Sequence, residues 1–335
     1  MRIYYHLSPY ISHREAGIEY VRCLESLGYV VETRPERLPE CSTVILHDDP
    51  MALPQVRASL PNFGDRRVIA YCVWEGDRLP EPYRQRLEVY REIWTCSAWV
   101  REVFHELPAR VDVVPHVVRR LPFSREDAEF ARWAAGADDG EFLLFSVIDG
   151  INPRKNLAGL LGAFQAARAV SRVPLRLVLK QYRVNLPLGD IPGVRSLFGN
   201  FTRGQMAALH AVSQAYVSAH HAEGWGLGIS TSMAYGRPVA ATGWSGNMEY
   251  MNAGCSLPVP YTMVAVSDEM CRKLPLFTPD MSWASPDIPA LAGAMCRMAE
   301  GRIPEDLPGK ASAISERFGA RAVAARLKEL LENPA

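Results

Sequence analysis

An acid placed directly before alternating glycines is a chemical arrangement as much as a structural one. In the stretch HHAEGWGLGISTSMAYGRPVAATGWSGNMEYM, residues 220–251, Glu223 precedes glycines at 224, 226 and 228. Gly236 and Pro238 close the apolar segment behind them, and a strand-like run follows over Val239–Thr242. Strand, glycine loop, helix and strand in that order let a ligand approach the backbone closely, with helix N–H groups and a partial positive charge behind it. Such a loop suits an anion, above all a phosphate, and Glu223 at its mouth would face polar groups attached to that phosphate, such as sugar hydroxyls. Candidate cations lie upstream. Only five of the 37 basic residues are lysine, at 155, 180, 273, 310 and 328. An ammonium is a compact charge suited to a phosphate oxygen, whereas a guanidinium is a planar fork. Lys155 and Lys180 fall at strand or loop ends, so they are candidates, the alternative being ordinary surface lysines. The turn Pro153-Arg154-Lys155-Asn156 puts two cations at a helix start, where the helix dipole disfavours them unless an anion is shared.

These residues need elements to hold them. Arg2–Leu7, a helical pattern over Gly17–Leu27, Val30–Thr33 and Thr43–Leu46 begin an alternation of strand and helix, which means βαβ units and a parallel sheet. The first loop, Ser8–Gly17, carries one glycine and no G-x-G-x-x-G, which argues against a dinucleotide. His47-Asp48-Asp49-Pro50 reads as a helix cap and turn more readily than as a metal site. The strand Arg67–Val73 ends in Trp74-Glu75, either a ligand-facing pair at a strand's carboxyl end or a tryptophan on the core beside a solvated acid. Pro115-His116 closes this first domain, 1–118, and the charged Ala- and Gly-containing segment 119–140 reads as a linker with a short helix. The alternation restarts with Phe142–Val147 and runs through a second domain, 141–309. The final stretch, 310–335, reads as one amphipathic helix with Ile314, Phe318, Val323, Leu327 and Leu331 on its apolar side.

Composition narrows the classes. A chain of 335 residues exceeds one ordinary core, and 48% apolar with 22% charged residues is the balance of a globular enzyme, with no apolar run long enough to span a bilayer. Met1–Leu7 lacks the basic start and long apolar core of a leader and reads as a buried strand. Seven cysteines without a CxxC pair suit reduced thiols in a cytoplasm. A formal net charge of zero removes the basic footprint of a nucleic-acid binder.

The order FSVIDGINPRKN, then RLVLK, then AEGWGLGISTSMAYGRPVAATGWSGNMEYM resembles the carboxyl-terminal domain of retaining GT-B-fold glycosyltransferases of family 4. In the first half, YCVWEGDRLPEPYRQRLEVYREIWTCSAWVREVF followed by VVPHVV looks like the bacterial polysaccharide branch of that family. The resemblance implies an α/β fold of GT-B architecture: two Rossmann-like parallel-sheet domains facing a cleft, the first on the acceptor side and the second on the donor side, with the C-terminal helix packing back toward the first. It also implies roles. Lys155 would contact the donor diphosphate and Glu223 the donor sugar hydroxyls, with Gly224, Trp225, Gly226 and Leu227 offering backbone to the donor. Gly17 stands where a glycine loop approaches the diphosphate, and Glu75, with Trp74 beside it, stands where many relatives carry a histidine near the reacting sugar. Two positions depart from the pattern. Thr231 replaces a glutamate that holds the ribose hydroxyls, a loss of about 1–3 kcal/mol unless Ser230, Ser232 or another group compensates. Asp149 and Gly150 occupy the places of an arginine, leaving Arg154 or Lys180 to supply the second cation.

The implied reaction moves a sugar from a nucleoside-diphosphate sugar to a hydroxyl on a saccharide or lipid-linked saccharide, with retention, no cofactor and no metal, in surface polysaccharide or glycoconjugate synthesis. The expected location is cytoplasmic, peripheral at the inner face of the membrane. A sugar-nucleotide epimerase or hydrolase, or a non-catalytic nucleotide-sugar binder, would use the same donor site. A nicotinamide oxidoreductase fits least, since Ile229 stands where the third fingerprint glycine belongs.

Overall fold

The structure, a computed structural model, describes residues 1–136, 138 and 140–333. Residues 137 and 139, within the expected linker, and 334 and 335, at the end of the expected C-terminal helix, lie outside the described residues. The chain divides into two compact units, Met1–Val118 with Glu316–Ala335, and Arg119–Ser315.

The first unit runs β1 (Arg2–Leu7), α1 (Ile11–Ser26), β2 (Val30–Glu32), β3 (Thr43–His47), α2 (Leu53–Ser59), β4 (Arg67–Tyr71), α3 (Glu81–Leu87), β5 (Glu92–Thr95), α4 (Ala98–Val103) and β6 (Arg110–Val113). All six strands are parallel, in the order β2-β1-β3-β4-β5-β6. β3, TVILH, is buried at every position, as a central strand covered on both faces must be. α1 begins at Ile11, six residues before the expected Gly17. The polar run Ser12–Glu15 gave no apolar period, yet it forms the first turn of this helix.

The second unit runs α5 (Arg125–Ala135), β7 (Phe142–Ile148), α6 (Leu157–Val170), β8 (Leu175–Gln181), β9 (Val194–Leu197), α7 (Arg203–Val212), β10 (Ala215–Ser218), α8 (Leu227–Ala234), β11 (Val239–Thr242), β12 (Leu257–Val259), β13 (Tyr261–Ala265), α9 (Asp268–Lys273), β14 (Ser282–Pro286), α10 (Ile288–Ala299) and α11 (Leu307–Ser312). Its parallel sheet has the order β12-β11-β10-β7-β8-β9, and β13 and β14 form an antiparallel pair. α6 and α10 pack together over the sheet, and Leu160, Phe164, Leu291 and Met295 share one buried cluster with alanines at 163, 167 and 294 and the strand residues beneath them. Each large apolar side chain fully buried there contributes about 1.5–3 kcal/mol. The sheet order also creates a crevice. β7 has β8 on one side and β10 on the other, so the chain leaves β7 in one direction and returns to build outward from β10 in the opposite one. Loops leaving the carboxyl ends of two such strands part company, and ligands bind in the space between them.

The chain then ends in α12 (Ile314–Arg317) and α13 (Ala320–Glu332). The single helix expected over 310–335 is therefore broken, with Gly319 extended at φ −73, ψ 168 before α13. α13 packs on α1 within the first unit. Arg67 joins its last turn by donating to the carbonyls of Leu330 at 2.7 Å and Leu331 at 2.9 Å, while also pairing with Glu92 at 2.6 Å. A cation at a helix C-terminus satisfies orphan carbonyls and the helix dipole together. Among the described residues no helix is long and apolar enough to cross a membrane.

Candidate active site

The crevice of the second unit is bounded by the loop after β7, residues 149–156, and the loop after β10, residues 219–226. Two asparagines shape the first loop. Asn152 Oδ1 accepts the Arg154 amide at 3.1 Å, opening the short 3-10 turn Pro153–Lys155. Asn156 adopts φ 50, ψ 54 and caps α6 by accepting the Gly159 amide at 3.0 Å. Asparagine is one of the few side chains that tolerates that left-handed conformation. The turn is tied to the second loop by the His221 amide, which donates to the Arg154 carbonyl at 2.8 Å.

Within this frame three charges converge. Lys155 Nζ lies 2.5 Å from Glu223 Oε1, and Arg154 Nη1 lies 3.3 Å from Glu223 Oε2 and 2.5 Å from the Ala222 carbonyl. Burial alone would push the Glu223 carboxyl upward, but Lys155 and then Arg154 overcome it and hold the pKa at about 2. Two cations thus face one carboxylate. Behind it, burial lowers His220 to about 4, so the ring is neutral; its Nε2 donates to Asn247 Oδ1 at 3.1 Å and its Nδ1 accepts from Ser218 at 3.0 Å.

The glycine loop then presents backbone. Gly226 stands at φ 87 and forms the N-cap of α8, a residue with no side chain of its own to cap the helix. The first amides of a helix have no intrahelical acceptor, and the helix dipole favours an anion beside them. Trp225 is buried; its indole N–H donates to Ser230 Oγ at 3.1 Å, and its ring lies 4.9 Å from that of Tyr250. Trp225 thus fixes the loop from beneath. Leu227 and Thr231 lie on α8 and are partly exposed, whereas Gly224 is buried. The hydroxyls expected to compensate for a second glutamate are engaged: Ser230 also donates to the Leu227 carbonyl at 3.2 Å, and Ser232 pairs with His210 Nδ1 at 2.6 Å.

Other expected site residues are placed differently. Lys180 is 4% exposed, and its ammonium donates to the carbonyls of Gln181 at 2.6 Å and Gly199 at 2.9 Å, 4.6 Å from the Phe201 ring centre. It is a buried structural cation, and burial lowers its pKa. In the first unit Gly17 lies inside α1, not in a loop; a Cβ there would come within 2.8 Å of Leu7 and 3.2 Å of His47. Trp74 is 1% exposed, donates its indole N–H to the Arg78 carbonyl at 2.7 Å and meets Tyr83 edge-on, so it belongs to the core. Glu75 is partly exposed beyond β4, and its charge opposes the lowering that burial imposes on His13. Asp48 accepts from Ser8 at 2.7 Å and Asp49 from the Met51 amide at 2.8 Å, which is the turn reading of that pair.

Two further groups border these loops. Asp149, 1% exposed at the end of β7, pairs at 2.9 Å with Arg183, whose backbone stands at φ 69. The Ser245-Gly246-Asn247 segment after β11 reaches back to the second loop. Its one visible hint in the sequence is the SGN triplet, which reads as any turn.

No family model matches this chain, and no curated protein matches it in sequence. Solved structures do. The chain is similar to sucrose-phosphate synthase from Thermosynechococcus elongatus, at 15% identity and a TM-score of 0.66, covering 99% of this chain and 98% of that one. It is similar to a UDP-forming trehalose-phosphate synthase from Burkholderia xenovorans, at 14% identity and a TM-score of 0.58 over 97% of this chain and 80% of that one. It is also similar to the pneumococcal O-GlcNAc transferase GtfA, solved with UDP and GlcNAc, at 12% identity and a TM-score of 0.57 over 94% of this chain, which spans only 59% of GtfA. At these identities the likeness speaks for the fold, and the fold is that of the GT-B class, two Rossmann-like units each built on a six-stranded parallel sheet.

Proposed function

We propose that this chain is a glycosyltransferase that moves a sugar from a nucleoside-diphosphate sugar to a hydroxyl of a saccharide or lipid-linked saccharide, with retention at the anomeric carbon. The observation that carries this reading is the Lys155–Glu223–Arg154 cluster in the loops after β7 and β10, beside the α8 N-terminus whose cap is Gly226. In this reading the diphosphate binds between Lys155 and the α8 N-terminus, and a sugar hydroxyl donates to the Glu223 oxygen that Lys155 contacts. Cleaving the sugar–phosphate bond develops charge on the leaving oxygen, and a fixed ammonium with oriented N–H groups stabilises that charge more in the transition state than in the ground state. The leaving phosphate oxygen then takes the acceptor's proton on the same face, and no carboxylate nucleophile or metal takes part. Glu223, held ionised far below neutral pH, acts as a hydrogen-bond acceptor and not as an acid. The solved structures of similar fold support this reading, since they include transferases and synthases and one was solved with UDP.

Purified protein is incubated with UDP-, GDP-, ADP- and dTDP-sugars, with and without saccharide acceptors, and products are analysed by NMR. Acceptor-dependent transfer that keeps the donor's anomeric configuration is the expected result. Consumption of donor without acceptor indicates a hydrolase or epimerase, and binding without turnover indicates a non-catalytic binder; either result refutes the proposal.

A further inference from the structure

A buried serine in a backbone conformation that belongs to glycine is a departure with a physical cost, and Ser245 is one. It stands at φ 76, ψ −153 and is 4% exposed. That region of backbone space is essentially closed to residues with a Cβ, and such residues persist where surrounding structure forces them, often at functional sites. The surrounding structure here is the Glu223 peptide. Ser245 Oγ accepts the Glu223 amide at 2.8 Å and turns its own proton to the Trp244 carbonyl at 2.5 Å. The next residue completes the grip, for the Gly246 amide donates to the Glu223 carbonyl at 2.8 Å. No side chain fits at 246, because a Cβ there would lie 1.8 Å from the Gly224 carbonyl oxygen. Asn247 extends the clamp by accepting from His220 Nε2 at 3.1 Å and donating to the Thr242 carbonyl at 2.9 Å.

Glycine at 245 would adopt this backbone without strain. Serine adds one thing that glycine lacks, a hydroxyl that meets the amide of the acid in the candidate site. We propose that Ser245 is a positioning residue: its hydroxyl fixes the Glu223 backbone, and through it the direction of the carboxylate toward the donor sugar, at the expense of local stability. The inference rests on the glycosyl-transfer reading for its catalytic part and on geometry alone for its structural part. The Ser245 bond restrains a group that has to be aligned when the sugar–phosphate bond breaks, so its loss falls on turnover more than on donor binding.

The test compares the full-length protein with Ser245→Gly and Ser245→Ala. Glycine relieves the strain, so the variant folds and melts at or a few degrees above the wild type, while alanine keeps the strain without the hydroxyl and melts lower. In both, hydrogen exchange measured on a peptide covering residues 221–226 speeds up about tenfold or more, since a single restraining bond on the Glu223 amide is gone. For Ser245→Gly, kcat falls about tenfold and donor KM stays within about twofold. Unchanged exchange at 221–226 in Ser245→Gly overturns the proposal, as does wild-type kcat in a variant whose exchange has risen. A wild type that transfers no sugar to any acceptor, while the exchange difference persists, overturns the glycosyl-transfer reading and supports the clamp.

Discussion

Replacing Glu223 by glutamine keeps the shape of the side chain and removes its charge, leaving Lys155 and Arg154 against a neutral amide. The magnitude follows from the pKa. Glu223 is held at about 2 against an ordinary value of 4.5, a difference of about 2.5, or about 3 kcal/mol at roughly 1.4 kcal/mol for each pKa unit. Its side chain is 12% exposed, so solvent screens little of this. Because the folded-state pKa lies below the unfolded one, the contribution is fully present above pH 4.5 and is lost as pH falls toward 2. Glu223→Gln carries no such titration. Denaturant unfolding of both proteins from pH 3 to pH 7 therefore gives a gap of about 3 kcal/mol at neutral pH that narrows steadily below about pH 4.5. A gap equally large at pH 3 and pH 7 would show that the carboxylate is not stabilised by these cations in solution, and the electrostatic account of the site would fall.

Other outcomes follow from the same geometry. Lys155→Ala is expected to lower kcat about 100- to 1,000-fold, the usual loss when a group stabilising developing charge is removed, with far-UV circular dichroism unchanged; activity within a few-fold of wild type contradicts its role. Gly226→Ala forces a side chain into φ 87, with its Cβ 3.0 Å from both Ile229 Cδ1 and Tyr250 Oη. It is expected to cost about 1–2 kcal/mol and to weaken donor binding, read by calorimetry; a melt equal to wild type refutes the strain. Arg183→Ala leaves the buried Asp149 carboxylate without its 2.9 Å partner; the Arg183 side chain is itself half-exposed, so a loss of about 1–2 kcal/mol in chemical denaturation is expected, partly restored by Arg183→Lys. Equal stability of the alanine variant would mean the pair does not form.

The alternation of strands and helices was legible from apolar runs such as Phe142–Val147 and Thr43–Leu46, because burial of a strand between helix layers imposes a local pattern. The same holds for the glycine loop before α8, where Gly226 takes a conformation that only glycine enters freely. Local pattern failed where a residue's surroundings came from far along the chain. Lys180 and Trp74 looked like ligands at strand ends, but carbonyls and rings from neighbouring segments enclose them. Gly17 was placed in a loop because the polar residues before it carry no period, yet they start α1. Arg183 gave no signal and Ser245 only that of an ordinary turn, since an ion pair 34 residues apart and a bond 22 residues apart have no local pattern. The sequence specified which residues could do chemistry: an acid before glycines, two cations in a turn, and the elements that carry them. Only the tertiary structure decided that they meet, because pairing β10 beside β7 closes a separation of 68 residues between Lys155 and Glu223. Sheet order is set by the burial of whole strands and not by any residue in the site, so the folded chain alone determines which charges share the crevice.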